Sequence, residues 1–355
     1  MIQIDVNLFK NSYPIYIQKN IFLDKFLIDY IKSKAKKIAI ISTNNLKKEV
    51  VDFSNRLKKN NIENFFFLFK DTEKNKNRKT KEKLENKLIE NHFTKDTLII
   101  AIGGGVVLDM AGFIAATYLR GIKSIYIPTT ILSMTDASIG GKTGVNTKYA
   151  KNQIGSIYNP IAIFNDINFL ETLNKTDVKY GISETIKHSL ILSRDFFYEL
   201  KSSKLSMEDI IQKSIILKKE LIEKDLFEEN IRKKLNFGHT FAHAIETISN
   251  YKTTHGKAVL IGMAIESYLS YILNHLSFED LKEIISYLKI NKFLDEDISY
   301  NFEKLYKGIS KDKKNKFNSI RFVLLKEIGN AIFDIEVDKE TIEKAFVWAR
   351  NGFVL

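Results

Sequence analysis

Five short apolar runs stand unbroken by any charge in the first half of the chain: Ile38-Ala39-Ile40-Ile41, Phe65-Phe66-Phe67-Leu68, Leu98-Ile99-Ile100-Ala101, Ile125-Tyr126-Ile127 and Ile161-Ala162-Ile163-Phe164. A strand with one wet face alternates polar and apolar side chains, so an unbroken run marks a strand covered on both faces. Helical spacing fills the gaps between several of these runs, and strands alternating with helices build a mainly parallel sheet. Segments 2–8 and 15–18 add a hairpin at the amino end. After about Thr172 the pattern changes: 178–192, 208–224, 236–249, 259–275 and 278–288 all carry apolar residues at helical spacing. A strand pair at 321–325 and 331–336 precedes a last helix at 339–350. The expectation is an α/β chain: a mainly parallel α/β domain over 1–172, then a mostly helical domain over 173–355. Ligands in such layouts favour the carboxyl ends of the strands and the cleft between domains.

Composition narrows the function classes. The 355 residues contain no cysteine, which excludes disulfides, thiolate zinc sites and cysteine nucleophiles and fits a reducing, cytoplasmic compartment. Met1-Ile2-Gln3-Ile4-Asp5 lacks the basic-then-apolar profile of a secretion signal. The apolar stretch 98–119 has the length of a membrane span, but three consecutive glycines and Asp109 at its centre argue for a strand, a turn and a buried helix. The formal charge is +12. Lysine is spread along the whole chain, and the densest tract, 74–87, alternates with glutamates and lacks aromatic residues for stacking on bases. Neither a nucleic acid nor a membrane is the expected partner.

Gly103-Gly104-Gly105 follows one expected strand and opens an expected helix at 106–119. Glycine lets the backbone approach a phosphate, and a helix amino end favours negative charge. The turn is not the G-x-G-x-x-G of a standard dinucleotide fold, and a ligand-free turn is the alternative. Gly140-Gly141-Lys142-Thr143 matches the tail of a P-loop, but Asp136 stands where the leading glycine is needed, which rejects an NTPase. The loop 136–146, dense in Gly, Thr, Ser, Asp and Lys and followed by Lys151-Asn152, suits a polar anionic ligand or is purely structural. His239 and His243, four apart, share one helix face, and His255 opens the next helix. With Glu184 on an earlier helix they offer the histidine and carboxylate set of a catalytic zinc. A helical histidine pair is as often surface or core, and His188, His92 and His275 are read as structural or exposed.

Taken together, these segments resemble the 3-dehydroquinate synthase family. The match runs in order through 103–109, Gly112-Phe113, Ala115-Ala116, Arg120-Gly121, Pro128-Thr129-Thr130, 136–146, 151–155, Glu184-Thr185-Ile186-Lys187 and 235–240. It continues through His243-Ala244-Ile245-Glu246, His255-Gly256, Gly262-Met263, Asp312-Lys313-Lys314 and 321–324. The resemblance implies a non-standard Rossmann-like nucleotide-binding domain and a metal- and substrate-binding one. It implies conversion of 3-deoxy-D-arabino-heptulosonate 7-phosphate (DAHP) to 3-dehydroquinate plus phosphate, the second step of the shikimate pathway. NAD takes a hydride at carbon five, phosphate is eliminated, NADH returns the hydride, the ring opens, and an aldol step closes the carbocycle.

By the same resemblance Glu184, His239 and His255 hold Zn2+ or Co2+, which leaves His243 as a substrate ligand. Lys142, Asn152, Arg232, His243 and one of Lys313 and Lys314 gather phosphate and carboxylate. Asp136 and Lys187 fix ring hydroxyls. Lys218 and Glu228 fall where the family has a carboxylate-binding lysine and an active-site glutamate. Arg120 reaches a neighbouring subunit's site in a homodimer. For NAD, Asp71, Glu73 and Lys76 serve the adenosine side. The turn Gly103, Gly104, Gly105, Val106, Val107, Leu108 and Asp109 cradles the diphosphate. Thr129, Thr130, Lys142, Lys151, Phe169, Leu170, Glu171 and Thr172 complete the site.

Leu108, Thr72 and Ala242 stand where the family usually has glycine, and Lys257 stands where it has glutamate. Leu226 and Asn230 also differ. A branched Leu108 inside the diphosphate turn is expected to weaken NAD binding, so that Leu108→Gly would tighten it. Two rivals remain in the sequence. Metal-dependent glycerol-type dehydrogenases and other sugar phosphate cyclases share the fold, and net NADH release distinguishes the former. A basic nucleic-acid-binding protein rests on the charge alone and would show salt-sensitive DNA binding without NAD or zinc uptake.

Overall fold

The computed structural model describes residues 1–148, 151–250, 252–294, 300–310 and 320–355. The chain divides into two compact units, Met1–Asn174 and Lys175–Leu355.

The first unit holds β1 (Ile2–Val6), β2 (Tyr13–Ile17), α1 (Lys25–Lys34), β3 (Lys37–Thr43), α2 (Lys47–Lys59), β4 (Glu63–Phe69) and α3 (Arg78–Glu90). It continues with β5 (Leu98–Gly103), α4 (Gly105–Thr117), β6 (Lys123–Pro128), β7 (Lys142–Val145), β8 (Ile154–Ile157) and β9 (Ala162–Asn165). Seven strands pair in the order β1-β2-β9-β6-β5-β3-β4. Only β1 runs antiparallel; β2, β9, β6, β5, β3 and β4 all point one way. The central strand β5 is buried at every residue, as its unbroken apolar run requires. Adjacent strands β3 and β5 send their connections in opposite directions, β3 to β4 and β5 to β6. A parallel sheet opens a crevice for ligands at the carboxyl ends of such a pair. Register places Gly103 level with Pro128, so the glycine turn and Thr129 leave the sheet side by side.

The expected hairpin 2–8 with 15–18 forms as β1 and β2, but β2 also joins β9 and enters the main sheet. The expected loop 136–146 is partly strand: β7 pairs antiparallel with β8 through Thr143↔Ser156 and Gly144↔Gly155. Glycine and threonine gave no alternating pattern there. The close approach itself is what needs them, since a Cβ on Gly155 would lie 1.9 Å from the Thr143 carbonyl oxygen.

Leu108 sits in the first turns of α4 and is 1% exposed, part of the apolar core, and its backbone N–H bonds Gly104 O at 3.1 Å. A side chain sunk in the core does not lie over the turn. Leu108→Gly is therefore expected to remove a packed side chain and add helix flexibility, with a loss of about 4 kcal/mol or more, rather than to tighten NAD. Chemical denaturation measures this; an unchanged midpoint with a lower NAD dissociation constant would restore the sequence-based expectation.

The second unit holds α5 (Lys175–Gly181), α6 (Ser183–Leu192), α7 (Arg194–Ser202), α8 (Met207–Lys224), α9 (His239–Ile248) and α10 (His255–Ile272). It ends with α11 (Phe278–Ile290), α12 (Phe302–Ser310), the antiparallel pair β10 (Arg321–Glu327) and β11 (Asn330–Glu336), and α13 (Lys339–Arg350). One apolar cluster joins α6, α9, α10, α11, α13 and the β10–β11 pair. The helix α10 is its axis, with 13 of its 18 residues buried, so it has no wet face to reveal a period. The expected helix 178–192 breaks between Gly181 and Ser183. The expected helix 236–249 starts only at His239, because Gly238 takes φ 81°, outside the right-handed helical region. Helices α7 and α12 were not expected; both are short. Among the described residues no helix is long and apolar enough to cross a membrane.

Candidate functional site

In the first unit the residues expected to hold a dinucleotide gather at the carboxyl ends of the parallel strands. Thr129 N donates to Gly103 O at 3.1 Å, tying the end of β6 to the glycine turn. A Cβ on Gly104 would touch Thr130 Cγ2 at 3.3 Å, and one on Gly105 would touch Ala137 at 3.3 Å. Thr130 and the Asp136 segment thus flank the turn. That segment is a wide helical turn, with Ser138 N reaching back five residues to Ser133 O at 3.1 Å, a geometry common at functional sites. The first-turn N–H groups of Gly105 and Val106 have no acceptor within their own helix, and Gly104, Gly105 and Val106 remain partly exposed. Gly103, Val107 and Leu108 are buried, so of the expected cradle Gly104, Gly105 and Val106, with Asp109 in part, are open to a ligand.

Behind the turn lies a charged network. Lys76 is 4% exposed and pairs with Asp109; its Nζ also donates to Asn152 Oδ1 at 2.6 Å. Asn146 Nδ2 donates to Glu73 Oε1 at 2.6 Å, and Asn146 Oδ1 accepts from Asn152 N at 3.0 Å. Lys151 Nζ lies 3.8 Å from Glu73 Oε1. Burial raises the Asp109 carboxyl above its ordinary range, although Lys76 pulls it down. Asn146 is the hub that sequence reasoning left without a role; only its tie to Asn152 and Glu73 reveals it. Asp71 accepts from Asn45 Nδ2 at 3.4 Å, at the end of β3. On the β9 side, the Phe169 ring packs on Phe22 at 5.1 Å between centroids, and Glu171 pairs with Lys19 at 2.9 Å. Phe169 is therefore core. Leu170 is partly buried, and Glu171 and Thr172 are exposed. Lys142 opens β7 and is exposed, and Arg120 is exposed in a left-handed turn.

In the second unit three side chains converge from three helices. Glu184 on α6 is fully buried; His239 and His255 are the first residues of α9 and α10. Close helix crossings bring them together. A Cβ on Gly262 would lie 2.0 Å from Gly238 O, and one on Gly256 would lie 2.1 Å from Tyr180 O. His239 Nε2 is 3.6 Å and His255 Nε2 3.4 Å from Glu184 Oε1, and one donor atom from each of the three residues lies within 4.8 Å of the others. Ligands about 2.1 Å from a shared tetrahedral ion stand about 3.4 Å apart, so the spacing fits a divalent ion. One carboxylate and two imidazoles is the donor set of a catalytic ion with an open position.

The electrostatics agree. Burial, aided by Lys187, holds His239 well below the usual imidazole range, so it keeps a lone pair. Burial lowers His255 too, but hydrogen bonds to Glu184 and Glu246 outweigh it and push the ring up to about 10. Where no ion is bound, the protonated His255 ring itself supplies the positive charge that the two carboxylates favour.

His243 stands beside the group, its ring centroid 5.5 Å from that of His239. Lys187 is 2% exposed and pairs with Glu184. Lys218 on α8 and Arg232 are buried at 5% and 1% exposure. The Arg232 guanidinium donates to the Leu226 carbonyl of its own loop. Asp225 knots that loop by accepting from the backbone N–H groups of Glu229, Asn230 and Arg232 at 3.0, 2.8 and 3.0 Å. Glu228 accepts from Asn236 Nδ2 at 2.8 Å. Lys313 and Lys314 lie outside the described residues. His188 is buried, with Nδ1 2.7 Å from Ser214 Oγ. Two further buried glutamates stand at the site: Glu266, outside the matching motifs, accepts from Gly238 N at 2.6 Å, and Glu246, part of a matching motif but given no role by it, lies beside His255.

This fold is shared with the sugar phosphate cyclases. A solved 2-deoxy-scyllo-inosose synthase, complexed with carbaglucose-6-phosphate, NAD+ and Co2+, superposes with a TM-score of 0.89 at 23% identity over 99% of this chain and 100% of that one. The 2-epi-5-epi-valiolone synthase of Streptomyces hygroscopicus subsp. jinggangensis 5008, with NAD+ and Zn2+ bound, gives 0.88 at 23% identity over 96% and 97%. Residues 66–180 match the 3-dehydroquinate synthase N-terminal family and residues 181–315 the C-terminal one. The 3-dehydroquinate synthase of Pelagibacter ubique (strain HTCC1062) is 38% identical over 96% of this chain and 97% of its own length. The chain belongs to the 3-dehydroquinate synthase family.

Proposed function

We propose that this chain is a phosphorus–oxygen lyase that converts DAHP to 3-dehydroquinate and phosphate, the second step of the shikimate pathway in aromatic amino acid biosynthesis. The observation that carries the reading is the convergence of Glu184, His239 and His255 at ion-binding spacing, in a chain whose first unit presents a glycine turn at its sheet's carboxyl end. A divalent ion, Zn2+ or Co2+, supplies Lewis acidity toward the substrate hydroxyl, and NAD supplies a hydride acceptor that is regenerated in each turnover.

The chain's own residues do the rest. The N–H groups of Gly104, Gly105 and Val106 and the threonines Thr129 and Thr130 receive the dinucleotide's diphosphate, as a helix amino end does for anions. The Lys76–Asp109 pair braces that turn from behind. Lys187 balances the buried charge of Glu184. The substrate carries a carboxylate and a phosphate, so it needs cationic and hydrogen-bonding partners; Lys142 and Asn152 are assigned to that task in the first unit, and Lys218, Arg232 and His243, with Lys313 or Lys314, in the second. Asp136 and Lys187 are assigned to the ring hydroxyls, and Glu228, which accepts from Asn236, to the role of the family's active-site glutamate. The substrate's phosphate is itself a base for the elimination, so few side chains need to move protons.

The test is an assay of phosphate release from DAHP that watches for net NADH. Release without accumulation is the expected result. Steady NADH formation from simple polyols, with no phosphate from DAHP, would move the chain to the dehydrogenases of this fold.

The reading extends to a homodimer. Leu119, Arg120 and Gly121 all take positive φ, at 47°, 63° and 115°, and this turn throws Arg120 outward. Arg120 then serves the site of a second copy. Mixing inactive Arg120→Ala with inactive Glu184→Gln should restore about a quarter of the activity if sites are shared; no recovery from mixed, co-refolded chains would refute sharing. A cytoplasmic setting suits an NAD-dependent step on a phosphorylated sugar acid, and cell fractionation tests it.

A further inference from the structure

The two imidazoles near Glu184 are steered by different partners. His239 Nδ1 lies 3.2 Å from the carbonyl oxygen of Phe237, a neutral acceptor. His255 Nδ1 lies 3.5 Å from Oε1 of Glu246, while its Nε2 faces Glu184 at 3.4 Å. Glu246 is 3% exposed and sits on α9, seven residues after His239. Seven residues are about two turns, so both side chains leave the same face of that helix. One helix thus begins with one imidazole and carries, two turns on, the carboxylate that meets the other. An imidazole that coordinates through Nε2 keeps its proton on Nδ1, and that proton needs an acceptor. A carboxylate acceptor makes the ring a stronger donor to a metal than a carbonyl does.

We propose that Glu246 is a positioning residue of the metal centre: its carboxylate takes the Nδ1 hydrogen bond of His255, turns Nε2 toward the ion, and makes His255 the stronger of the two imidazole ligands. The proposal rests on reading Glu184, His239 and His255 as the ligands. Glu246 is not one of the three converging ligands, and the effect proposed for it on the ion is exerted through His255.

The experiment strips the full-length protein of metal with a chelator and titrates Zn2+ back against a chromophoric competitor, for wild type, Glu246→Gln and Glu246→Leu. The glutamine keeps the shape and an acceptor oxygen but not the charge; the leucine removes the acceptor. Zinc affinity is expected to fall about 10-fold with glutamine and about 100-fold with leucine. The visible absorption of the Co2+-loaded variants should shift, because the His255 donor changes. The metal-free melting temperature of the glutamine variant should stay within about 2 °C of wild type. Wild-type zinc affinity and an unchanged cobalt spectrum in the glutamine variant would overturn the inference, whether or not the leucine variant folds. A fall in affinity matched by an equal fall in metal-free stability would also overturn it, since that marks a purely structural carboxylate. If wild type itself takes up neither Zn2+ nor Co2+, the ligand reading fails, and this inference with it.

Discussion

Replacing Glu184 with glutamine is expected to take the protein from one tightly held divalent ion to almost none, and to lower phosphate release about 1,000-fold. Glu184 is the one carboxylate of the group and fully buried, with both imidazole Nε2 atoms within 3.6 Å of its Oε1. Removing the anion leaves two imidazole donors beside the Lys187 ammonium, whose charge is then unbalanced and disfavours a dication. Lewis-acid activation contributes several kcal/mol of charge stabilisation, and about 1.4 kcal/mol corresponds to a factor of ten. The change also leaves the buried Lys187 ammonium without its anion, so some stability is lost as well. Glu184→Asp separates the two effects, because it keeps the charge beside Lys187 while drawing the oxygen back by one methylene. Metal analysis, melting curves and the phosphate assay together decide. A Glu184→Gln protein that still holds one ion per chain and turns over normally would remove the basis of the functional reading.

Lys76→Met should be nearly as damaging, in the other unit and for a different reason. Lys76 is 4% exposed and Asp109 21% exposed at its side chain, so the pair is largely withdrawn from water. Breaking one partner of a buried pair costs about 3–5 kcal/mol, and partial exposure of Asp109 brings this to about 2–4. NAD affinity should fall with it, because Asp109 closes the first turn of α4. The double variant Lys76→Met with Asp109→Asn removes the stranded charge and should recover most of the stability without recovering NAD binding. The pH dependence has a definite sign. Burial raises the folded Asp109 carboxyl above its unfolded value, so this group favours the fold when protonated and opposes it as pH rises through the folded value. The deficit of Lys76→Met should therefore narrow in acid. A deficit that persists unchanged in the double variant would show that Lys76 acts through something other than Asp109.

The supporting residues behind each cluster explain why part of the site was legible and part was not. Gly103-Gly104-Gly105, Glu184, His239 and His255 stand out because they belong to ordered motifs: a glycine triplet after an apolar run, and spaced histidines with a carboxylate. Asn146, Glu246 and Glu266 are common residue types, and only their partners at Asn152, His255 and Gly238 give them meaning. The expected effect of Leu108 changed for the same reason. Its position in the turn was readable, but the burial of its side chain was not.

The local pattern alone determined the parallel sheet, the strand-turn-helix at Gly103 and the division into an α/β part and a helical part. Each of these follows from side-chain period and backbone freedom over a few residues, which the order of amino acids carries directly. Tertiary structure decided the rest: that β2 enters the main sheet, that residues near 142 and 155 pair as strands, and that Gly256 and Gly262 let helices approach until three donor atoms stand within 4.8 Å. Such contacts join residues far apart along the chain, and their energies depend on burial and distance, which no local period encodes.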